Sequence, residues 1–361
     1  MDLHIVGGFL GSGKTTAIIG AAKRLMARGT RVGVVTNDQG RYLVDTAFFQ
    51  SAEIPAVEVT GGCFCCSYDD LEAQLVRLSQ TAQPDVIFAE SVGSCADIVA
   101  TVVKPLLKLR PSGVEGPTSF SVFADARLLR RRLLGLPMPF SDDVVYLFGK
   151  QIEEAGLLVI NKEDLLSPGE ARETLALARG RYPAKAVSLQ NSLEAEAISA
   201  WVSTLESGRA APPTTSLEID YARYGAGEAE LAWLDETLTF TVPPSGGRAI
   251  VRRFMTALLD ELRRRRLAVG HLKFFIQAGD VRAKVSFPTL QPEGWERQVP
   301  EVPGTQITLL VNARVEADAV VLHALVHEAA EAAVEGRDAD FAASDVAFFH
   351  PTFPAPTHRF S

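Results

Sequence analysis

An α/β fold, a doubly wound and mostly parallel sheet followed by a second, smaller α+β domain, is what this 361-residue sequence predicts. Three observations predict it. Residues 3–6 are a short apolar strand pattern that runs into Gly8-Phe9-Leu10-Gly11-Ser12-Gly13-Lys14-Thr15, the G-x-x-x-x-G-K-T pattern of a P-loop, and then into a helical pattern. Further short β-branched runs then alternate with helical stretches through the first two hundred residues, as parallel strands covered on both faces do. Beyond a Pro/Gly/Ser-rich stretch the order changes to strand, helix, strand, strand, strand, helix, the signature of helices on one face of an antiparallel sheet.

In order, the spacing predicts strands over 3–6, 32–36, 57–59, 85–89, 119–125, 157–160 and 186–187. Between them it predicts helices over 15–28, 69–78, 97–109, 127–134, 142–154, 168–180 and 193–205. A linker carrying Pro212-Pro213 covers 208–233. The second pattern has a strand over 235–242, a helix over 248–267, a hairpin of 272–278 and 281–287 around Gly279-Asp280, a strand over 307–315 and a helix over 317–334. The expected organisation is therefore domain 1–207, linker 208–233, domain 234–336 and an irregular tail 337–361.

Composition narrows the function. With 47% hydrophobic and 22% charged residues the chain has ample material for a core, and a net charge of −8 speaks against a nucleic-acid binder. No basic n-region or cleavage site precedes the first strand, and no apolar run approaches the ~20 residues that cross a bilayer. A cytoplasmic protein with no membrane partner is expected. Of its 4 cysteines three lie in Cys63-Phe64-Cys65-Cys66, too close together for a disulfide framework.

The motifs fall after the strands, where ligands sit in doubly wound sheets. Gly8, Gly11, Ser12, Gly13, Lys14, Thr15 and Thr16 form a nest of inward N–H groups at a helix N-terminus, suited to phosphate. Lys14 can reach the terminal phosphates and the Thr15 hydroxyl can ligate Mg²⁺. Glu90, in Glu90-Ser91-Val92-Gly93, is placed to hold Mg²⁺ through water, and Gly93 gives backbone room near a γ-phosphate. Asp38, in Asn37-Asp38-Gln39-Gly40, can reach Mg²⁺ or orient the attacking water, with Gln39 a competitor and a polar loop start the plainer reading. Lys14, Asp38 and Glu90 are thus the catalytic candidates. Asn161-Lys162-Glu163-Asp164 is the N-K-x-D pattern of guanine recognition. Asp164 can accept from the N1–H and amino group that adenine lacks, the Lys162 stem can cover the base, and Asn161 can tie loops together. Ser188-Leu189-Gln190 is a weak further candidate near the base.

Behind two glycines, Cys63, Cys65 and Cys66 make a metal loop suited to Zn²⁺ and softer ions. Cys95 could be a fourth ligand, against the plainer reading of a core cysteine at a helix start. His323 and His327 stand i, i+4 on the last helix, and His350 and His358 lie in the tail; these could form a second metal site, against the plainer reading of ordinary surface or domain-contact histidines.

Together the motifs Gly8–Thr15, Cys63–Cys66, Glu90–Gly93 and Asn161–Asp164 resemble the CobW-type metal-handling GTPases, relatives of the urease and hydrogenase nickel-insertion GTPases, over residues 1–205. The resemblance implies a GTP-hydrolysing metallochaperone that uses GTP and Mg²⁺ and carries Zn²⁺ or Co²⁺ to a client metalloprotein. It also implies dimerisation. Departures are Asn37-Asp38-Gln39-Gly40, where the family has Asn-Glu-Phe-Gly, and the lack of a histidine-rich tract. Three other readings stay open: an assembly factor for a cobalamin- or corrinoid-related enzyme with a structural metal, a P-loop small-molecule kinase, and a redox pair Cys65-Cys66.

Overall fold

The computed structural model describes residues 1–37, 44–109, 116–289 and 294–361; Asp38 and Gln39, expected at the site, fall outside them. The chain forms two compact units. Of the described residues, the first takes in 1–37, Phe49–Glu228 and Phe353–Ser361; the second takes in 44–48 and Ala229–Thr352.

The first unit is a seven-stranded sheet of β1 (Asp2–Gly8), β2 (Val32–Asn37), β3 (Ala56–Val59), β4 (Val86–Glu90), β5 (Thr118–Asp125), β6 (Leu157–Asn161) and β7 (Ala186–Gln190). Their order across the sheet is β3-β2-β4-β1-β5-β6-β7, and every pairing is parallel. Strands β2, β4 and β6 are buried along their whole length, which explains their continuous apolar runs. The helices are α1 (Lys14–Met26), α2 (Val44–Ser51), of which only Phe49–Ser51 belong to this unit, α3 (Tyr68–Thr81), α4 (Lys104–Leu109), α5 (Ala126–Leu133), α6 (Asp142–Glu153), α7 (Pro168–Arg181), α8 (Ala195–Glu206) and α9 (Tyr221–Ala229). Helix α7 starts on a capping box in which Ser167 and Glu170 satisfy each other's backbone N–H.

The second unit is an antiparallel sheet of β8 (Leu231–Thr241), β9 (Ala268–Ala278), β10 (Val281–Pro288), β11 (Gln306–Glu316) and β12 (Asp340–Phe349) in the order β10-β9-β11-β8-β12. Helices α10 (Gly247–Arg264) and α11 (Ala319–Val334) bury Phe254, Leu258, Leu325 and Val326 in one core with Leu234, Leu238 and Phe240 of β8.

Three expectations need correction. The helix expected over 97–109 begins as a π-helical stretch, Val99–Val103, and only then becomes α4; Asp97 has a left-handed φ of 63°, which keeps it out of the helix. The linker expected over 208–233 contains α9 and the start of β8. Gly225 and Gly227 lower the helical signal of α9, yet each is required: an added Cβ at Gly225 would lie 2.1 Å from the Phe353 ring, and one at Gly227 2.6 Å from the Asp143 carbonyl oxygen. The tail expected to be irregular over 337–361 forms edge strand β12. That strand is mostly exposed, so it carries no apolar alternation to read.

Candidate nucleotide and metal site

All seven strands of the first sheet deliver their carboxyl ends to one edge, because every pairing is parallel. The loop after β1 turns on Gly8, Gly11 and Gly13, with φ of 124°, 69° and 93°. Side chains are excluded there sterically as well. A Cβ on Gly8 would stand 2.1 Å from the Phe123 carbonyl oxygen, and one on Gly13 2.4 Å from Asn161 Nδ2. Lys14 is buried, and its Nζ donates to the Gly8 carbonyl at 2.8 Å, arched over the loop it belongs to. The Ser12 hydroxyl is buried with no hydrogen-bond partner among the described residues. Thr16 follows on the first turn of α1.

The structure joins residues that the sequence keeps far apart. Thr15 Oγ1 donates to Glu90 Oε1 at 2.9 Å, so the hydroxyl and carboxylate expected to share a cation are adjacent. Gly93 packs on the phosphate loop itself, where an added Cβ would sit 2.7 Å from Leu10 Cδ2. Asn161 Nδ2 donates to the Ser12 carbonyl at 2.7 Å, while its Oδ1 accepts from Ser192 N–H and Oγ–H. Asn161 thereby ties the loops after β1, β6 and β7 together. Lys162, itself left-handed with φ of 64°, donates from Nζ to the Gly11 carbonyl and to Asp125 Oδ2 at 3.2 Å. Burial works against the Asp125 carboxylate, yet Lys162 and Arg127 hold its pKa below the ordinary value. Asp164 is exposed on the short turn that follows. Gln190 is buried and donates to Ser192 Oγ, so it braces the loop.

Strand β3 sits at the sheet edge beside β2, and the thiol loop follows it. The loop is a single helical turn: N–H groups of Cys66 and Ser67 both donate to the Cys63 carbonyl before α3 begins. Its three sulfurs lie within 4.8 Å of one another, and none is in a disulfide. Cys63 and Cys65 Sγ are 2.7 Å apart, Cys65 and Cys66 Sγ 3.8 Å. Tetrahedral zinc holds sulfurs about 3.8 Å apart, so a bound ion would require Cys63 to withdraw from Cys65 by about 1 Å. Cys95 is buried and interacts with Cys63 and Cys65, but it is not one of the three mutually close donors.

The charges of these thiols differ. Hydrogen bonds from Cys65, Cys66 and Cys95 push the Cys63 pKa well down, making it the natural thiolate. The donors move the other way: the bond to Cys63 pushes Cys65 well up and Cys66 up to about 11. Burial first, then Cys63, raises Cys95.

Two supports for this loop have roles that no motif announces. Asn37, at the end of β2, donates to the Val59 and Gly62 carbonyls at 3.1 and 2.8 Å and accepts from Phe64 N–H at 2.8 Å. The second is residues 353–361, a strap across the thiols. Ala355 N–H points at Cys66 Sγ at 3.3 Å, and Thr357 donates from N–H to the Cys65 carbonyl and from Oγ1 to the Cys66 carbonyl. Further along, Arg359 pairs with buried Asp97 at 2.8 Å and Phe360 N–H donates to Ala100. Asp97 lies in the segment that follows Glu90, so the strap joins the thiol loop to that segment. His358 packs edge-on against Tyr68. In the second unit His350 bonds through both ring nitrogens, accepting from Ala319 N–H and meeting the Ala229 carbonyl.

A strand, phosphate loop and helix, with an N-K-x-D loop docked on the phosphate loop, define a P-loop nucleotide-binding domain. Residues 2–188 match the model of the CobW/HypB/UreG nucleotide-binding domain, and the chain belongs to that family. It is similar to the zinc chaperone YeiR of Escherichia coli (strain K12), with 27% identity over 175 residues. That match covers 46% of this chain and only 47% of the relative's length. Among solved structures it is similar to HypB of Helicobacter pylori in complex with nickel, with 16% identity, a TM-score of 0.42, 60% of this chain and 91% of that one covered. A zinc-bound triple mutant of the YjiA GTPase is similar over 91% of this chain and 98% of its own, with 12% identity and a TM-score of 0.37.

Proposed function

We propose that this protein is a cytoplasmic GTP-hydrolysing metallochaperone that takes a divalent transition metal, Zn²⁺ or Co²⁺, on Cys63, Cys65 and Cys66 and yields it to a client protein according to its nucleotide state. The observation that carries the reading is the cluster of three free thiols on the same sheet edge as the phosphate loop. A client metalloprotein or corrinoid enzyme, and a homodimer, belong to the same proposal.

The residues have separable tasks. The N–H groups of Gly11 to Thr15 and the ammonium of Lys14 bind the phosphates; Asp164 selects guanine, and Asn161 holds the loop for it. Thr15 and Glu90 offer hard oxygen donors 2.9 Å apart, a set that fits Mg²⁺. Bound there, Mg²⁺ would neutralise charge developing on the transferred phosphoryl group. Asp38 is assigned to the attacking water or the cation. Coupling to the thiols has two routes, Asn37 at the end of β2 and the segment from Glu90 through Cys95 to Asp97 and the strap. Whatever moves Glu90 or the end of β2 therefore acts on the thiol loop.

The test is a competitive titration of the reduced protein with Zn²⁺ and Co²⁺ in Mg²⁺–GTP analogue or Mg²⁺–GDP, beside a Cys65→Ser/Cys66→Ser variant. One ion bound by the wild type alone, with affinity differing about fivefold or more between nucleotides, is expected. Equal affinity in both nucleotide states would leave a structural metal and sink the delivery reading.

A further inference from the structure

Strand β8 presents Ala232, Leu234, Leu238 and Phe240 to the helix-covered core, and in the middle of that series it presents Glu236. The Glu236 side chain is 0% exposed. An isolated carboxylate in that position is unfavourable, so its partners matter. They come from α11. His327 Nε2 is 2.6 Å from Glu236 Oε1, and His323 Nε2 is 3.9 Å from the same atom. The i, i+4 spacing sets the two imidazoles one turn apart, tilted by 57°, with ring centres at 4.4 Å.

Hydrogen bonding between Glu236 and His327 leaves two groups unexplained. Glu236 Oε2 and His323 Nε2 are both buried and have no hydrogen-bond partner among the described residues. His323 is nonetheless held in place, stacked on Phe348 at 4.4 Å. Edge strand β12 also breaks register here. Thr237 faces Ser344 but Asp235 faces Ala347, so the bulge falls opposite Glu236. Bulges are frequent beside sites.

We infer that Glu236, His323 and His327 form a second metal site, independent of the thiol loop, that takes one divalent ion of the Zn²⁺ class. Two imidazole nitrogens and a carboxylate suit such ions, and three protein ligands leave a fourth position open for exchange. The ligand atoms already lie within 4.8 Å of one another. Tetrahedral coordination at about 2.1 Å separates ligands by about 3.4 Å, so His327 would move back from Glu236 by under 1 Å or the ion would use Oε2. A site without thiols also differs chemically from the first, since oxidants and alkylating agents that destroy thiolates leave it intact.

The experiment uses the full chain with Cys63→Ser/Cys65→Ser/Cys66→Ser, which removes the thiol site whatever its role. Zn²⁺ is titrated against a chromophoric chelator, and Co²⁺ spectra are recorded. The variant should retain one equivalent of Zn²⁺, and its Co²⁺ spectrum should lack thiolate charge-transfer bands. Adding His323→Ala, which breaks no hydrogen bond, should weaken binding at least tenfold, and adding Glu236→Gln should do the same. No zinc bound by the triple-serine chain, or binding unchanged by His323→Ala, would overturn the inference.

Discussion

Asn37 has one short carboxamide and commits all of it to the thiol loop. Asn37→Ala would strand the Phe64 N–H and two carbonyls, at about 1–3 kcal/mol for each buried group left unsatisfied. Zinc affinity should fall about tenfold or more by that reckoning, while affinity for a fluorescent GDP analogue stays within about twofold. Unchanged zinc binding in a chelator competition would show that the loop holds its own shape. Gly13 is constrained differently. With φ of 93° and Asn161 Nδ2 2.4 Å from an added Cβ, Gly13→Ala meets both handedness and a clash. Handedness alone costs about 1–2 kcal/mol. Asn161 cannot retreat without leaving Ser12 and Ser192, so nucleotide affinity should drop by about a hundredfold, read in the same fluorescent titration.

At the scale of elements the strap is the informative piece. It is irregular, yet its donors satisfy two thiol-loop carbonyls and approach a sulfur. Thr357→Pro removes the N–H and the hydroxyl together. It should speed alkylation of half-exposed Cys66 and zinc release by about tenfold, the loss of one or two hydrogen bonds, with nucleotide affinity unmoved. Rates equal to wild type by mass spectrometry and stopped flow would deny the strap any covering role. Sequence reasoning located the parallel strands because most are short β-branched runs followed by a glycine or polar loop, and it located the phosphate, thiol and N-K-x-D loops because their residue spacing is imposed by chemistry. It could not see α9, whose glycines are set by Phe353 and Asp143 packed against them, or β12, an exposed edge held by backbone pairing. The bracing role of Asn37 and the strap escaped for the same reason. Their partners are 22 to 27 and about 290 residues away, and no local pattern encodes such a contact. Helical spacing already pairs His323 with His327, but nothing in the sequence marks Glu236, which only the fold brings beside them.

At the scale of the whole molecule two pH dependences follow, of opposite origin. His4 is buried in β1 against Ser119, and burial lowers its pKa to about 4. The unfolded chain, near 6.5, therefore takes the proton first; stability is full above that value and is lost as pH falls towards 4. Between pH 7 and pH 5 the loss should be about 2 kcal/mol, and His4→Gln should flatten it in urea unfolding of the first unit. In the proposed function metal binding runs through the thiols. Cys63 is already poised as the thiolate, but Cys65 and Cys66, raised by their bonds to it, must each release a proton. Affinity should thus rise about a hundredfold from pH 7 to pH 8 in a chelator competition. A tenfold rise would mean that one of the two keeps its proton or does not bind. The strap finally sets a clock. Ala355 lies 289 residues downstream of the Cys66 that it covers. At about 5–20 residues per second, translation needs about 15–60 s between the two. For that interval each newly made thiol loop meets the cell's metal ions, oxidants and reductants without its cover, so the first occupant of the site can be chosen on the ribosome, before the finished protein exists.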